Sequence, residues 1–317
     1  MSAHSARVCG KLMGCRPPRG GTGHLGAEPW EGDMDGARFL LLGRPTGYSV
    51  TPGIWNAVFE AAGRPWRFET RDVDEAELDG IFRAIRGETV PGAFVTMPYK
   101  GHAARAARRH DDHVRRCGVA NLVLPDGGEL LAANTDAAAV ESISRGRRFA
   151  RGLVLGSGGA ARGALSGLAG RVGRLTIASL DGEGAHELAR WAEREFPAVE
   201  LGDWERRAAL VRDADLIVNA TPLGMVGLDA EPPLPAASLG PETWVYDFVY
   251  RPDGSRTPLQ AAAMSARAPL TDGAAHVETQ AILALPVLGL DPTLGALVSE
   301  RTQAAFARAP ERWAASP

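Results

Sequence analysis

From residue 37 onward, compact apolar runs alternate with stretches of helical periodicity. The runs 37–43, 92–97, 119–124, 152–156, 173–179, 214–219 and 243–248 are short and bounded by Gly, Pro or polar residues, so they read as strands. Helical spacing fills 53–62, 74–86, 101–109, 136–145, 159–169, 184–195, 256–266, 274–285 and 292–308. Pro125-Asp126-Gly127-Gly128 marks a turn between two short strands. Strands and helices in alternation predict an α/β protein with mainly parallel sheets. A break near 134–137 separates a first α/β unit from 152–272, which has the pattern of a dinucleotide-binding domain.

Residues 1–36 fall outside this pattern. They are rich in Gly, Pro, Arg and Ser, lack the apolar core of a signal peptide, and are expected to be disordered. Met34 is a second candidate start. A length of 317 residues accommodates two buried cores, and a net charge of −3 gives no electrostatic reason to expect nucleic acid or an anionic membrane as partner. No apolar run is long enough to span a bilayer. Three cysteines (Cys9, Cys15 and Cys117) without C-x-x-C spacing fit neither a disulfide framework nor a zinc site. A reducing cytoplasm and a small-molecule partner are the expectations, with no metal.

One compositional bias bears on chemistry. Among 35 basic residues only Lys11 and Lys100 are lysines, and Lys11 lies in the amino-terminal tail. Arginine does not release its proton in a protein, whereas lysine does. Lys100 therefore stands out as a titratable amine.

The strongest local motif is Gly156-Ser157-Gly158-Gly159-Ala160-Ala161, which follows an apolar strand and opens a helical stretch. Gly156 permits a tight turn, Gly158 lets backbone approach a pyrophosphate, and Ala161 permits close packing of helix on strand. The next strand runs into Ser179-Leu180-Asp181, about twenty residues further on, where an acid accepts hydrogen bonds from a ribose and repels a 2′-phosphate. This predicts NAD in preference to NADP. A second reading of Asp181, as the cap of the following helix, stays open.

Several segments together resemble the shikimate dehydrogenase family. They are Ser49-Val50-Thr51-Pro52, Phe94-Val95-Thr96-Met97-Pro98-Tyr99-Lys100, Asn121, and Asn134-Thr135-Asp136. The glycine loop follows, then Asn219-Ala220-Thr221-Pro222-Leu223-Gly224-Met225, Tyr246-Asp247-Phe248-Val249-Tyr250 with Thr257-Pro258, and Asp272-Gly273 with Gln280. They keep the family's order from about 37 to 285. The resemblance implies a substrate-binding catalytic domain from 37–135 plus 273–317, a Rossmann-type doubly wound domain from 136–272, and a site in the cleft between them. It implies reversible hydride transfer between NAD(P)H and 3-dehydroshikimate to give shikimate, in a monomer or homodimer. By the same resemblance Lys100 is the acid/base and Asp136 its partner. Ser49, Thr51, Thr96, Asn121, Tyr250 and Gln280 would hold the substrate. Gly156, Ser157, Gly158, Gly159, Ala160, Ser179 and Asp181 would hold the cofactor, together with Asn219, Thr221, Gly224, Met225 and Gly273.

The departures are informative. Phe94 stands where the family usually has Asn, Leu122 replaces a Thr, Ala137 replaces a Gly, and Tyr48 and Trp55 replace histidines. His276 stands near the place of a methionine and reads as a packing residue. The family's basic NADP signature is missing, with Ser179-Leu180-Asp181 and Gly184 in its place, although Arg162 survives. Thr51 also fits quinate-using relatives. A quinate or aminoshikimate dehydrogenase and a non-catalytic binding homologue remain alternatives.

Overall fold

A computed structural model of the chain describes residues 38–228, 232–234 and 239–307. The disorder expected for 1–36 falls outside these residues. The first half runs β1 (Arg38–Gly43), α1 (Thr51–Ala61), β2 (Arg67–Asp72), α2 (Glu75–Arg86), β3 (Ala93–Val95), α3 (Lys100–Ala106), β4 (Arg109–His110), α4 (Asp112–Cys117), β5 (Leu122–Asp126) and β6 (Glu129–Ala133). Then α5 (Thr135–Ile143) leads into β7 (Phe149–Leu155), α6 (Gly159–Leu168), β8 (Val172–Ala178), α7 (Gly182–Ala192), β9 (Ala198–Gly202), α8 (Arg207–Leu210), β10 (Leu216–Asn219) and β11 (Trp244–Asp247). The chain closes with α9 (Pro258–Ser265), β12 (Leu270–Thr271), α10 (Gly273–Val287) and α11 (Gly295–Phe306).

Local chemistry accounts for these elements. In α2, Asp74 and Glu77 form a reciprocal capping box, and Leu78, Ile81, Phe82 and Ile85 recur at helical spacing on its buried face. Gly127 and Gly128 both have positive φ, which suits the two-residue turn joining β5 to β6. The carboxyl-terminal part of β7 is apolar and buried on both faces, as a central parallel strand requires.

The strands form two six-stranded sheets, ordered β2-β1-β3-β5-β6-β4 and β12-β11-β10-β7-β8-β9. Every pairing in the second sheet is parallel, and its order is that of a doubly wound dinucleotide fold. Strand order reverses between β7 and β10, which opens a crevice at their carboxyl ends. The first sheet is mixed, because β5 runs antiparallel to both β3 and β6. Under it lies an aromatic core of Phe39, Trp55, Phe59, Trp66, Phe68 and Phe94. From α10, Val277, Ala281, Ala284 and Leu285 pack back onto this core, so this helix returns to the first sheet.

Sequence periodicity misses β2, β4, β9, β12, α4 and the short α8. β2 (RFETRD) buries only Phe68, and its six residues pair in register with β1 at the sheet edge. β9 is likewise an edge strand with no buried residue. Such strands are held by backbone pairing rather than by an apolar face, so they leave little hydrophobic pattern.

Candidate active site

A cavity of about 600 Å³ opens where the loops after β7, β8, β10 and β11 face residues after β3 and on α10. Lys100 is the first residue of α3, immediately after a turn. Asp136 lies in the first turn of α5, whose amino terminus is capped by the Asn134 side chain accepting from Ala137 N–H. Across the cavity wall, Lys100 Nζ donates to Asp136 Oδ2 at 2.5 Å. The two side chains are only 14% and 13% exposed. Burial alone would push the Asp136 carboxyl up. The Lys100 ammonium and a hydrogen bond from His276 outweigh it and hold the group well below the usual carboxylate range. The stabilisation from this carboxylate is therefore present above the ordinary aspartate range and is lost as pH falls through the lowered value.

Beside this pair, Ser49, Thr51, Thr96, Asn121, Tyr250 and Gln280 line one end of the cavity. Ser49 Oγ and Thr51 Oγ1 are 2.7 Å apart. Asn121 Nδ2 donates to Thr135 Oγ1 at 2.9 Å, and Thr135 Oγ1 is 2.7 Å from Gln280 Oε1, which ties β5, α5 and α10 together behind the wall. The Tyr250 phenol hydrogen-bonds Ser49, and burial keeps it protonated across the accessible pH range. The end is therefore a set of hydroxyls and amides suited to a polyhydroxylated ligand, floored by aromatic rings. Two of the sequence departures turn out to be a single packing event: Phe94 lies 5.3 Å, ring to ring, from Trp55. A third, Tyr48, packs 6.1 Å from Tyr250.

The other end is built from the glycine loop. Gly156, Ser157, Gly158, Gly159 and Ala160 line the cavity, as do Ser179, Asp181, Thr221 and Met225. Gly156 has φ +98°, and a Cβ there would stand 3.1 Å from the Ala220 carbonyl oxygen. A Cβ on Gly159 would stand 3.1 Å from Lys100 Cβ, so the loop and the lysine meet directly. Gly158 caps α6 with no side-chain bond, and a Cβ on it would meet nothing within 4 Å. The loop and the first turn of α6 thus stand on the cavity wall without a side-chain cap, which fits a dinucleotide pyrophosphate. Asp181 does cap α7, accepting from Gly184 N–H at 3.0 Å, while also standing on the cavity wall.

Three residues expected at the cofactor do not reach the cavity. Asn219 is fully buried, donating to Asp247 Oδ1 at 2.8 Å and accepting from Thr221 Oγ1 at 2.6 Å. Gly224 packs against Thr257, and Gly273 against the Val249 carbonyl. All three lie behind the wall. Arg162 is not on the wall either, because its guanidinium lies 5.8 Å from the Trp191 ring. His276, read as a packing residue, instead lines the cavity and approaches Asp136 Oδ1 at 3.2 Å. Its place four residues before Gln280, on the same helix face, was the available signal. Phe248, Trp204 and Leu180 also line the cavity without having been foreseen. Among the described residues no helix is long and apolar enough to cross a membrane, and no group of His, Cys, Asp and Glu could hold a metal ion.

Asp247 anchors the β10 and β11 loops. It accepts from Asn219 Nδ2, Val249 N–H, Thr257 Oγ1 and Gln260 Nε2. Burial pushes its carboxyl up to about 6 against the pull of these donors. Asp247→Asn replaces one acceptor oxygen by an NH₂ that faces donors. The expected loss is about 2–4 kcal/mol of folding stability, read as a lowered urea midpoint with an unchanged slope.

Residues 41–123 match the family model described as the shikimate dehydrogenase substrate binding domain. A shikimate dehydrogenase (NADP(+)) of Geobacter sulfurreducens is 32% identical over 233 residues, covering 70% of this chain and 80% of that one. The corresponding enzyme of Symbiobacterium thermophilum is 36% identical over 228 residues, covering 67% and 76%. Among solved structures, shikimate 5-dehydrogenase of Thermus thermophilus in complex with NADP(H) and shikimate superposes with a TM-score of 0.69 at 27% identity, over 85% of this chain and 99% of that one.

Proposed function

This chain belongs to the shikimate dehydrogenase family, and we propose that it catalyses reversible hydride transfer between a nicotinamide dinucleotide and 3-dehydroshikimate, giving shikimate. The observation that carries this reading is the Lys100–Asp136 contact at 2.5 Å, set between a hydroxyl-rich pocket and a glycine loop. In this reading 37–135 with 273–317 form the substrate-binding half, and 136–272 the nucleotide-binding half.

A bound nicotinamide supplies or accepts the hydride. The remaining chemistry falls to the chain. Lys100 Nζ carries three N–H bonds, of which Asp136 engages one, and another is free to give a proton to the ketone oxygen. In the reverse direction the neutral amine takes that proton back from the C–OH group. Asp136 fixes where Nζ sits. Asn121, Thr96 and Gln280 grip ring hydroxyls, while Ser49, Thr51 and Tyr250 grip the carboxylate. A ligand lacking one of these hydroxyls would leave a buried amide unpaired, which gives the pocket its selectivity.

The cofactor choice follows from Asp181. It stands at the end of β8 on the cavity wall with no basic residue in the 179–181 turn, and a carboxylate there disfavours a 2′-phosphate. We infer that NAD is preferred over NADP, unlike the preference in the names of the relatives. Asp181→Ala is expected to raise kcat/KM with NADP about five- to tenfold, the worth of one exposed like-charge contact, and to lower it with NAD, whose ribose loses its acceptor. Equal use of both cofactors by the parent and the variant would remove Asp181 as the selecting residue.

The test of the function is the initial rate of nicotinamide reduction by purified protein, with shikimate and quinate each offered with NAD and NADP. Shikimate turnover is the expected result. Turnover of quinate alone would shift the substrate, and no turnover with any pair would overturn the reading.

A further inference from the structure

The mechanism above leaves His276 without a part, although it is only 5% exposed and sits on the wall beside Asp136. Its two ring nitrogens have different partners. Nε2 is 3.2 Å from Asp136 Oδ1, and Nδ1 is 2.8 Å from the Tyr246 phenol oxygen. The Phe248 ring, 4.4 Å away, covers the imidazole. The line Tyr246–His276–Asp136–Lys100 therefore runs from β11 of the second sheet through α10 and α5 to α3 beside the first.

Donor and acceptor rules fix the protons along this line. A carboxylate only accepts, so the proton on the Asp136 side belongs to Nε2. The phenol of Tyr246 is 1% exposed, and burial, followed by the charge of Asp136, keeps it protonated. In the neutral ring its O–H donates to Nδ1, which is then a bare lone pair. A neutral imidazole with its proton on Nε2 satisfies every group. An imidazolium would make the phenol oxygen the acceptor and take from the phenol proton the acceptor it has in the neutral ring. The other titratable groups around the ring are Lys100 behind Asp136, Tyr250, whose phenol feels the Asp136 charge, and Asp272 on the same helix, which is turned to cap it through Ala275 N–H.

We propose that His276 is a positioning residue for the Lys100–Asp136 pair, and that Tyr246 locks it as the Nε2–H tautomer. This rests on the proton-handling role given to the pair above. His276 holds Oδ1, which fixes the carboxylate plane and leaves Oδ2 for Lys100. By sharing the carboxylate's negative charge it also weakens that charge's hold on the ammonium.

The chain's two lysines make a direct test feasible. In full-length protein with ¹³C at lysine Cε, Lys11 and Lys100 give the two side-chain signals, and the pH dependence of the Lys100 signal reads the pair with no substrate or cofactor present. His276→Leu removes the donor. The midpoint of the Lys100 signal is then expected to move to higher pH by about half a pH unit or more. His276→Gln offers an amide N–H to Asp136 and an amide oxygen to Tyr246, and is expected to restore the parental midpoint. A merely packed histidine would make both substitutions equivalent in this readout. Tyr246→Phe leaves Nδ1 free to take a proton, and the Lys100 signal is expected to gain a second inflection on the acidic side. In turnover, His276→Leu should lower kcat about tenfold with KM little changed, and His276→Gln should recover most of it.

A Lys100 midpoint unchanged in folded His276→Leu, or shifted as far in His276→Gln as in His276→Leu, overturns the positioning role. A single, unshifted transition in Tyr246→Phe overturns the tautomer lock. If His276→Leu does not fold, His276→Met, which also lacks an N–H, takes its place with the same expected and overturning results. Absence of turnover in the parent protein would sink the proposed reaction, while the signal titrations would still report on His276.

Discussion

Lys100→Met should lower kcat for shikimate oxidation about 10³-fold, within the range typical of a lost general acid/base. Methionine keeps an unbranched chain of similar length, so the packing against Gly159 survives while the proton-carrying atom is gone. No second lysine lies in the described residues to take over, and arginine does not release its proton. Ligand binding should persist, because the hydroxyl and amide grips on the substrate are separate side chains. The measurements are steady-state kcat and the rise in melting temperature on adding shikimate. A variant that keeps its full rate would show that Lys100 does not handle the proton. A variant that loses the shikimate-induced rise would show that its main role is binding.

The second large effect is expected from Asp136→Asn. The amide is isosteric but uncharged, and it leaves Lys100 partly buried without its counter-ion. Breaking such a pair from one side costs about 3 kcal/mol of stability. The change also presents an NH₂ to one of two donors, Lys100 Nζ or His276 Nε2, so the geometry of Nζ loosens. The expected kcat is about 10²-fold lower, with a lowered denaturation midpoint. Because Asp136 acts through Lys100, the double variant Lys100→Met/Asp136→Asn should be hardly slower than Lys100→Met alone. Multiplicative losses would mean that the two side chains act independently.

Much of this site was legible because its parts are local in sequence. The glycine loop carries its strand, turn and helix start within one short segment. Lys100 sits in a turn that opens a helix, and Asn134-Thr135-Asp136 is a helix amino terminus. Asp181 was readable as both cap and wall residue because both roles follow from its place at the end of a strand. Edge strands were hidden for the opposite reason, since β2 and β9 depend on their neighbours' backbones and not on their own side chains.

The sequence by itself determined the α/β class, the phosphate loop, and the residue types able to move a proton and grip hydroxyls. It could do so because periodicity, turn chemistry and motif spacing act over a few residues. Tertiary structure decided which groups meet. It turned Asn219, Gly224 and Gly273 behind the wall, paired Phe94 with Trp55, and placed His276 against Asp136 across 140 positions of chain. A histidine on a buried helix face has the same local signature whether it packs or hydrogen-bonds. The difference lies in the partner that another element brings to its ring nitrogens, and only the packing of helices and sheets supplies that partner.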